Sequence, residues 1–175
     1  VQEPDINQLR KVRREKLAEL QANGKDPFQI TKYDQDAHSQ SIKDNFEELE
    51  GKKVSIAGRI MSKRVMGKAS FCHVQDLEGT IQSYVARDCI GEEEYKAFKK
   101  MDIGDIVGIE GYAFITQTGQ LSIHAKKLTV LSKSLRVLPI VKEKEGEVFD
   151  AFSDPELRYR MRYVDLIVNP QIKDT

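Results

Sequence analysis

The chain has 175 residues, and its 28 basic and 28 acidic side chains give a net charge of zero. An apolar content of 39% supports one ordinary core with extensions, and the charge balance excludes a generic polyanion binder. Any nucleic-acid contact must therefore come from local clustering of cations.

In chain order, residues 5–23 (DINQLRKVRREKLAELQAN) read as an amphipathic helix, with Asp5 as N-cap after Pro4 and Gly24 as the C-terminal stop. Leu9, Val12, Leu17 and Leu20 form its apolar stripe. Arg10, Lys11, Arg13, Arg14 and Lys16 make the remainder basic. That face is either simply solvated or lies along a phosphate backbone. Residues 25–50 are mixed: DPF breaks the chain, and SIKDNFEELEG reads as a short helix or acidic turn. From Gly51 through Gln75 there is no acidic residue, but there are Lys52, Lys53, Arg59, Lys63, Arg64 and Lys68. The zero net charge hides a local positive patch.

Residues 53–64 alternate as a strand, with Val54, Ile56 and Ile60 inward and Arg59, Met61 and Lys63 outward. Residues 69–77 alternate again, with Cys72 and Val74 inward and Phe71, His73 and Gln75 outward. Residues 80–87 put Ile81 and Val85 inward, Gln82 and Tyr84 outward. Residues 89–101 switch to a helical period through Tyr95, Phe98 and Met101. Residues 104–116 form a glycine-rich strand, as a sharply bent barrel strand would be. Residues 121–131 form a fifth, with Leu121, Ile123 and Ala125 inward. The order β-β-β-α-β-β predicts a mainly β protein with flanking helices: an OB-fold, a five-stranded Greek-key barrel, preceded by the N-terminal helix. A ferredoxin-like fold needs a second helix within the repeat. The expected organisation is a helical extension over 1–50, the barrel over 51–132 and a linker over 133–155. A helical segment over 156–169, started by Ser153 or Asp154 with Pro155, follows the linker.

An OB-fold binds oligonucleotides across its second and third strands, flanked by the loops after strands 1 and 4. Parity puts Phe71, Gln82, Arg59 and Lys63 on that face, beside the basic loop SKRVMGKAS and the polar loop TQTGQ. Phe71 would stack an unpaired base, Gln82 would bond a base edge, and Lys63, Arg64 and Lys68 would hold phosphates. The structural alternative is that Phe71 packs under a terminal helix or another domain. Cys72 and Cys89, with no CxxC and no His-rich spacing, argue against a metal site and fit a reducing compartment. No apolar run nears the roughly 20 residues of a membrane span, and no signal-peptide core is visible. A cytoplasmic protein without a membrane partner is expected. The chain starts at Val1, so the numbering is expected to begin inside a longer protein.

The segments GRIMSKRVMGKASFCHVQD, IQSYVARD and GYAFITQTGQLSIHAKKLTVLSKSLRVLP resemble the anticodon-binding domain of class II lysyl-tRNA synthetases. RYRMRYVDLIVNP resembles the segment leading into their catalytic domain, which implies that 156–175 is the start of that otherwise absent domain, and the RREKLAEL helix is typical of them too. The resemblance implies that Phe71 stacks on the middle base of a UUU-type lysine anticodon and that Gln82 bonds anticodon bases. A basic residue near the end of strand 1 also contacts the anticodon; Lys63 takes a place where arginine is usual, with Arg64 beside it, and lysine lacks the bidentate fork. Arg59 joins this set. Gln120 stands where a glutamate is common, which leaves open the base it reads. Weaker backbone contacts fall to Lys68, Arg10, Arg13 and Arg14. The family ligates lysine to tRNA(Lys) with ATP and Mg2+ in a C-terminal domain carrying three signature motifs, none of which this chain holds. The chain is therefore expected to be an N-terminal fragment with no catalytic residue, no cofactor of its own and no activity alone. Its partner would be the anticodon stem-loop of tRNA(Lys) rather than DNA, and the parent is expected to be a homodimer. Competing readings are a sequence-tolerant single-strand-binding OB domain, which would need more outward aromatics, and an OB domain that docks on a protein.

Overall fold

The computed structural model describes residues 6–139, 142–144, 147–149 and 152–172. Five strands close into a barrel: β1 (Lys53–Met66), β2 (Ala69–Gln75), β3 (Thr80–Ala86), β4 (Ile106–Ile115) and β5 (Leu121–Ser132). Their order is β1-β2-β3-β5-β4, with β4 returning to β1 and the β3–β5 pair parallel. Closure removes every sheet edge, which the alternating pattern alone could not do. The inward residues of the five strands, among them Ile56, Ile60, Val74, Ile81, Val107 and Ile123, form one buried cluster. Each such side chain contributes about 1.5–3 kcal/mol on burial.

Two short helices follow β3: α4 (Arg87–Ile90) and α5 (Glu92–Lys100), separated by Gly91 at φ +94. Tyr95 and Phe98 of α5 close the bottom of the core. Glu92, Glu93 and Glu94 in its first turn and Lys99 and Lys100 in its last complement the helix dipole. Tyr95 also ties α5 to the β1–β2 hairpin, through Ser70 Oγ at 2.8 Å and the Gly67 carbonyl at 2.9 Å.

The β1–β2 register slips between Ile60 and Ser62. Before the slip, Arg59 opposes Gln75; after it, Lys63 opposes the buried Cys72 and Arg64 opposes Phe71. A β-bulge adds one residue and inverts the facing of everything beyond it. Strict alternation therefore misplaces Lys63, which shares the inward face with Cys72; Arg64 stands on the outer face. A second slip falls between Glu110 and Gly111. There a Cβ on Gly111 would lie 2.1 Å from the His124 carbonyl oxygen, so the strand can bend at this point only without a side chain.

The N-terminal helix α1 spans Ile6–Ala22; Asp5, its expected cap, lies outside the described residues. It ends in a Schellman turn, with Lys25 N donating to Leu20 O, Gly24 N donating to Gln21 O, and Gly24 at φ +69. Its inward side is more polar than the predicted stripe. Val12 is 45% exposed, whereas Arg13 is buried and donates to Ser134 O, Ser134 Oγ and Arg136 O. The next stretch wraps the barrel. Tyr33 lies on Gly108, where a Cβ would come within 2.4 Å of its ring. Asp36 accepts from Ser55 N, and Ser39 donates twice to Asp76. Helices α2 (Ser39–Asp44) and α3 (Phe46–Leu49) follow, and α2 sends Ile42 into the barrel core at 0% exposure. Residues 6–50 thus pack in the same compact unit as the barrel, which ends at Arg136.

Beneath α1, Lys133 Nζ bonds both oxygens of Asp105 at 3.0 and 2.8 Å and Asp102 at 2.6 Å, while Lys16 reaches Asp102 at 2.8 Å. Asp105 and Lys133 are almost wholly buried, so each charge depends on the other.

The second unit begins at Val137. Part of the expected 133–155 linker lies outside the described residues. Within it β6 (Lys142–Lys144) pairs with β7 (Glu147–Phe149) as a short hairpin. The helix expected over 156–169 is two: α6 (Pro155–Arg160) and α7 (Arg162–Val168), broken at Met161. Asp154 is the N-cap, accepting from Glu156 N and Leu157 N. The break lets the buried Asp165 collect Arg158, Arg162 and Asn169.

Candidate nucleic-acid interface

The outer face of β1, β2 and β3 forms the wall of an open cleft of about 770 Å³, bordered by the β4–β5 turn. Register carries two rows of side chains across it. The first runs Arg64, Phe71, Tyr84 and His124; the second runs Ser62, His73, Gln82 and Ser122. Phe71 and Tyr84 are in ring contact at 5.1 Å, and Phe114 of β4 joins Tyr84 at 6.2 Å. His124 packs between Tyr84 and Phe114 at 5.2 and 5.7 Å. Burial holds the His124 imidazole below its usual pKa, with Lys126 adding to that, so neutrality is favoured there. The aromatic floor supplies flat faces; Ser122 Oγ donates to Gln82 Oε1 at 2.8 Å and fixes the amide. Gln82 is thereby left with its NH2 as donors toward a ligand.

The predicted residues divide clearly. Phe71, Gln82, Lys63 and Arg64 line the cleft; Arg59 and Gln120 do not. Arg64 is exposed next to Phe71. Lys63 reaches the cleft along its stem, but its Nζ turns to the C-terminal end of α5. It bonds Lys99 O at 3.0 Å and Met101 O, and approaches Phe98 O at 3.4 Å. Burial lowers its pKa, against the nearby Asp102 and Asp105 carboxylates, which raise it. Arg59 donates to the Gly104 carbonyl at 2.8 Å. Gln120 is exposed in the β4–β5 turn, its N–H donating to Thr116 Oγ1 at 3.1 Å. Lys68 and Arg14 are exposed, on the β1–β2 turn and on α1. Arg10 is half-buried with Nε unpaired among the described residues. Arg13 is a structural clamp, its guanidinium spent on three acceptors.

Sequence reasoning placed Tyr84 outward without giving it a part in the site, and it missed Phe114. The signal for Phe114 was parity within β4: Val107, Ile109 and Ala113 are buried, so Phe114 falls on the opposite face. With Tyr84 and Phe114 beside Phe71, the face carries more aromatic surface than expected. Cys72 stays apart from this chemistry, its thiol pushed up to about 12 by burial. No group of three His, Cys, Asp or Glu is placed to hold a metal ion among the described residues.

A closed five-stranded barrel in this strand order is an OB-fold, and residues 54–131 match the family described as the OB-fold nucleic acid binding domain. The chain as a whole is similar to lysine–tRNA ligases. It is 50% identical over 179 residues to the lysine–tRNA ligase of Porphyromonas gingivalis strain W83, an alignment covering 97% of this chain and 31% of that protein. It is 52% identical to the lysine–tRNA ligase of Syntrophomonas wolfei, covering 98% of this chain and 33% of that one. The corresponding protein of Clostridium tetani is 49% identical, with 99% of this chain and 33% of that protein covered. The chain thus spans about a third of the length of these relatives.

Proposed function

We propose that this chain is the anticodon-recognition module of a class II lysine–tRNA ligase, binding the anticodon stem-loop of tRNA(Lys). The observation that carries this reading is the juxtaposition of Phe71, exposed to the cleft, with Gln82, whose amide is oriented by Ser122. A splayed base stacked on Phe71 gains roughly 1–3 kcal/mol. The Gln82 NH2 lies within diagonal cross-strand reach of that base's carbonyl oxygens. Arg64, directly opposite Phe71, supplies the cation that sets register on the backbone. The parent enzyme would join lysine to tRNA using ATP and Mg2+ in its remaining two thirds, as a cytoplasmic homodimer. This chain would bind RNA and catalyse nothing alone.

The test is a titration with a lysine-type anticodon stem-loop and with one whose middle base is changed, at two salt concentrations, beside Phe71→Ala. The reading requires weaker binding for the changed loop and for the variant, by about five- to a hundredfold for Phe71→Ala. Equal binding of both loops, fading with salt alone, would establish a general backbone binder instead.

A further inference from the structure

The second row across the cleft has a regularity of its own. Each of its two central members is held by a serine on the neighbouring strand. Ser62 Oγ lies 2.8 Å from His73 Nδ1, and Ser122 Oγ donates to Gln82 Oε1 at 2.8 Å. Each tether takes one polar atom from a side chain that has two kinds. His73 keeps Nε2; Gln82 keeps its NH2. The two residues are direct cross-strand partners, so their Cβ atoms stand about 5 Å apart. Both line the cleft one step along the strands from Phe71 and Tyr84.

The geometry points to His73 as a second base-reading residue, whose Nε2 accepts the N3–H of a uracil-type base stacked on Phe71 while Gln82 donates to a flanking carbonyl. This rests on the anticodon reading above and names what would give the site a preference for uracil over cytosine. In the tautomer that donates Nδ1–H to Ser62, Nε2 carries the lone pair. Gln82, with its oxygen turned to Ser122, presents its NH2 as free donors. Those donors suit the O2 carbonyl of uracil and of cytosine alike, so Gln82 through O2 cannot separate the two bases. N3 does separate them: it is a donor in uracil and an acceptor in cytosine. An acceptor beside the Gln82 donors therefore matches uracil and opposes cytosine. Phe71 and Tyr84 carry no such information, because every base has a stacking face.

The experiment measures affinity for anticodon stem-loops whose middle base is uridine, cytidine or 3-methyluridine, which keeps both carbonyls but has no N3–H. Wild type, His73→Phe, His73→Leu and Phe71→Ala chains are compared, with thermal melting to confirm that each is folded. Wild type should prefer uridine over each alternative by about three- to tenfold or more, the range of one hydrogen bond. In both His73 variants the uridine-to-cytidine ratio should fall toward one, while uridine binding drops by a similar factor. That non-additivity marks direct contact between the side chain and N3. Unchanged ratios in folded His73 variants overturn the inference. If Phe71→Ala still weakens binding in that case, the anticodon reading survives and His73 alone is dismissed. If neither base identity nor Phe71→Ala matters, the anticodon reading itself has failed.

Discussion

The bulge in β1 makes adjacent cations do different work, and paired substitutions can show it. Lys63→Met keeps the aliphatic stem and removes the ammonium from the carbonyls of Lys99 and Met101. Bonds from a charged donor contribute about 1.5–3 kcal/mol each. Water can reach the freed carbonyls at a helix end, which reduces the net loss to about 2 kcal/mol. The compact unit ending at Arg136 has an unfolding entropy of about 0.28 kcal/mol per kelvin at about 2.1 cal/mol/K per residue, so its melting temperature should drop by about 7 °C. Binding of a single-stranded anticodon loop should keep its salt dependence. Arg64→Met should do the reverse. Its melting temperature should stay within about 1 °C, while the slope of log affinity against log salt flattens by about 0.7, the value for one phosphate contact on a single strand. Scanning calorimetry and fluorescence titration at four salt concentrations measure both. A flattened slope and unchanged melting in Lys63→Met would refute the inverted facing derived from the register.

Three further outcomes follow from the buried polar groups. Lys133→Met leaves the Asp105 carboxylate, 1% exposed, with only the backbone N–H groups of Asp102 and Ser134 among the described residues. Denaturant titration should show a loss of about 3–5 kcal/mol. At Asp102, burial works to raise the pKa, but hydrogen bonds from Lys133 and Lys16 outweigh it and hold the group below the usual carboxylate range. Its stabilising effect is complete above the unfolded value of about 3.9 and is lost as pH falls through the lower folded value. The stability advantage of wild type over Asp102→Asn, followed by acid titration, should therefore begin to shrink below about pH 4 and be gone only below the lower folded value. Ser83 is fully buried and its hydroxyl has no partner among the described residues. Ser83→Ala should be at least as stable as wild type, by up to about 1 kcal/mol in urea unfolding.

The barrel was legible because alternation records which side of a strand meets the core. Val54, Ile56, Val74, Ile81 and Ile123 all lie where their period puts them. Phe71 and Gln82 came from the same arithmetic, since no bulge interrupts β2 or β3. Lys63 failed because alternation propagates only along an unbroken ladder, and the extra residue at Met61 resets it without any marker in composition. Phe114 was within reach of the same arithmetic, since β4 runs unbroken against β1, but the glycine-rich strand was read for its bending and not for its facing. Arg13 was misread because a helix face rich in arginine looks solvated. Its burial depends on carbonyls more than 120 residues away, which no local pattern carries. The single C-terminal helix expected over 156–169 divided at Met161, where tertiary demands of the buried Asp165 outweigh helical periodicity.

The burial of Ile42 bears on how this module can be cut and moved. A gene segment trimmed to the matched span of 54–131 would encode all five strands and still leave a hole in the barrel's interior, with Gly108 stripped of the Tyr33 ring. Such an excised barrel would be expected to precipitate or open. A transplant into another protein should begin at or before α1 and continue past Arg136, to keep Tyr33 and Ile42 and both Arg13 and its acceptors at Ser134 and Arg136. For this domain the portable unit is longer than the motif that identifies it.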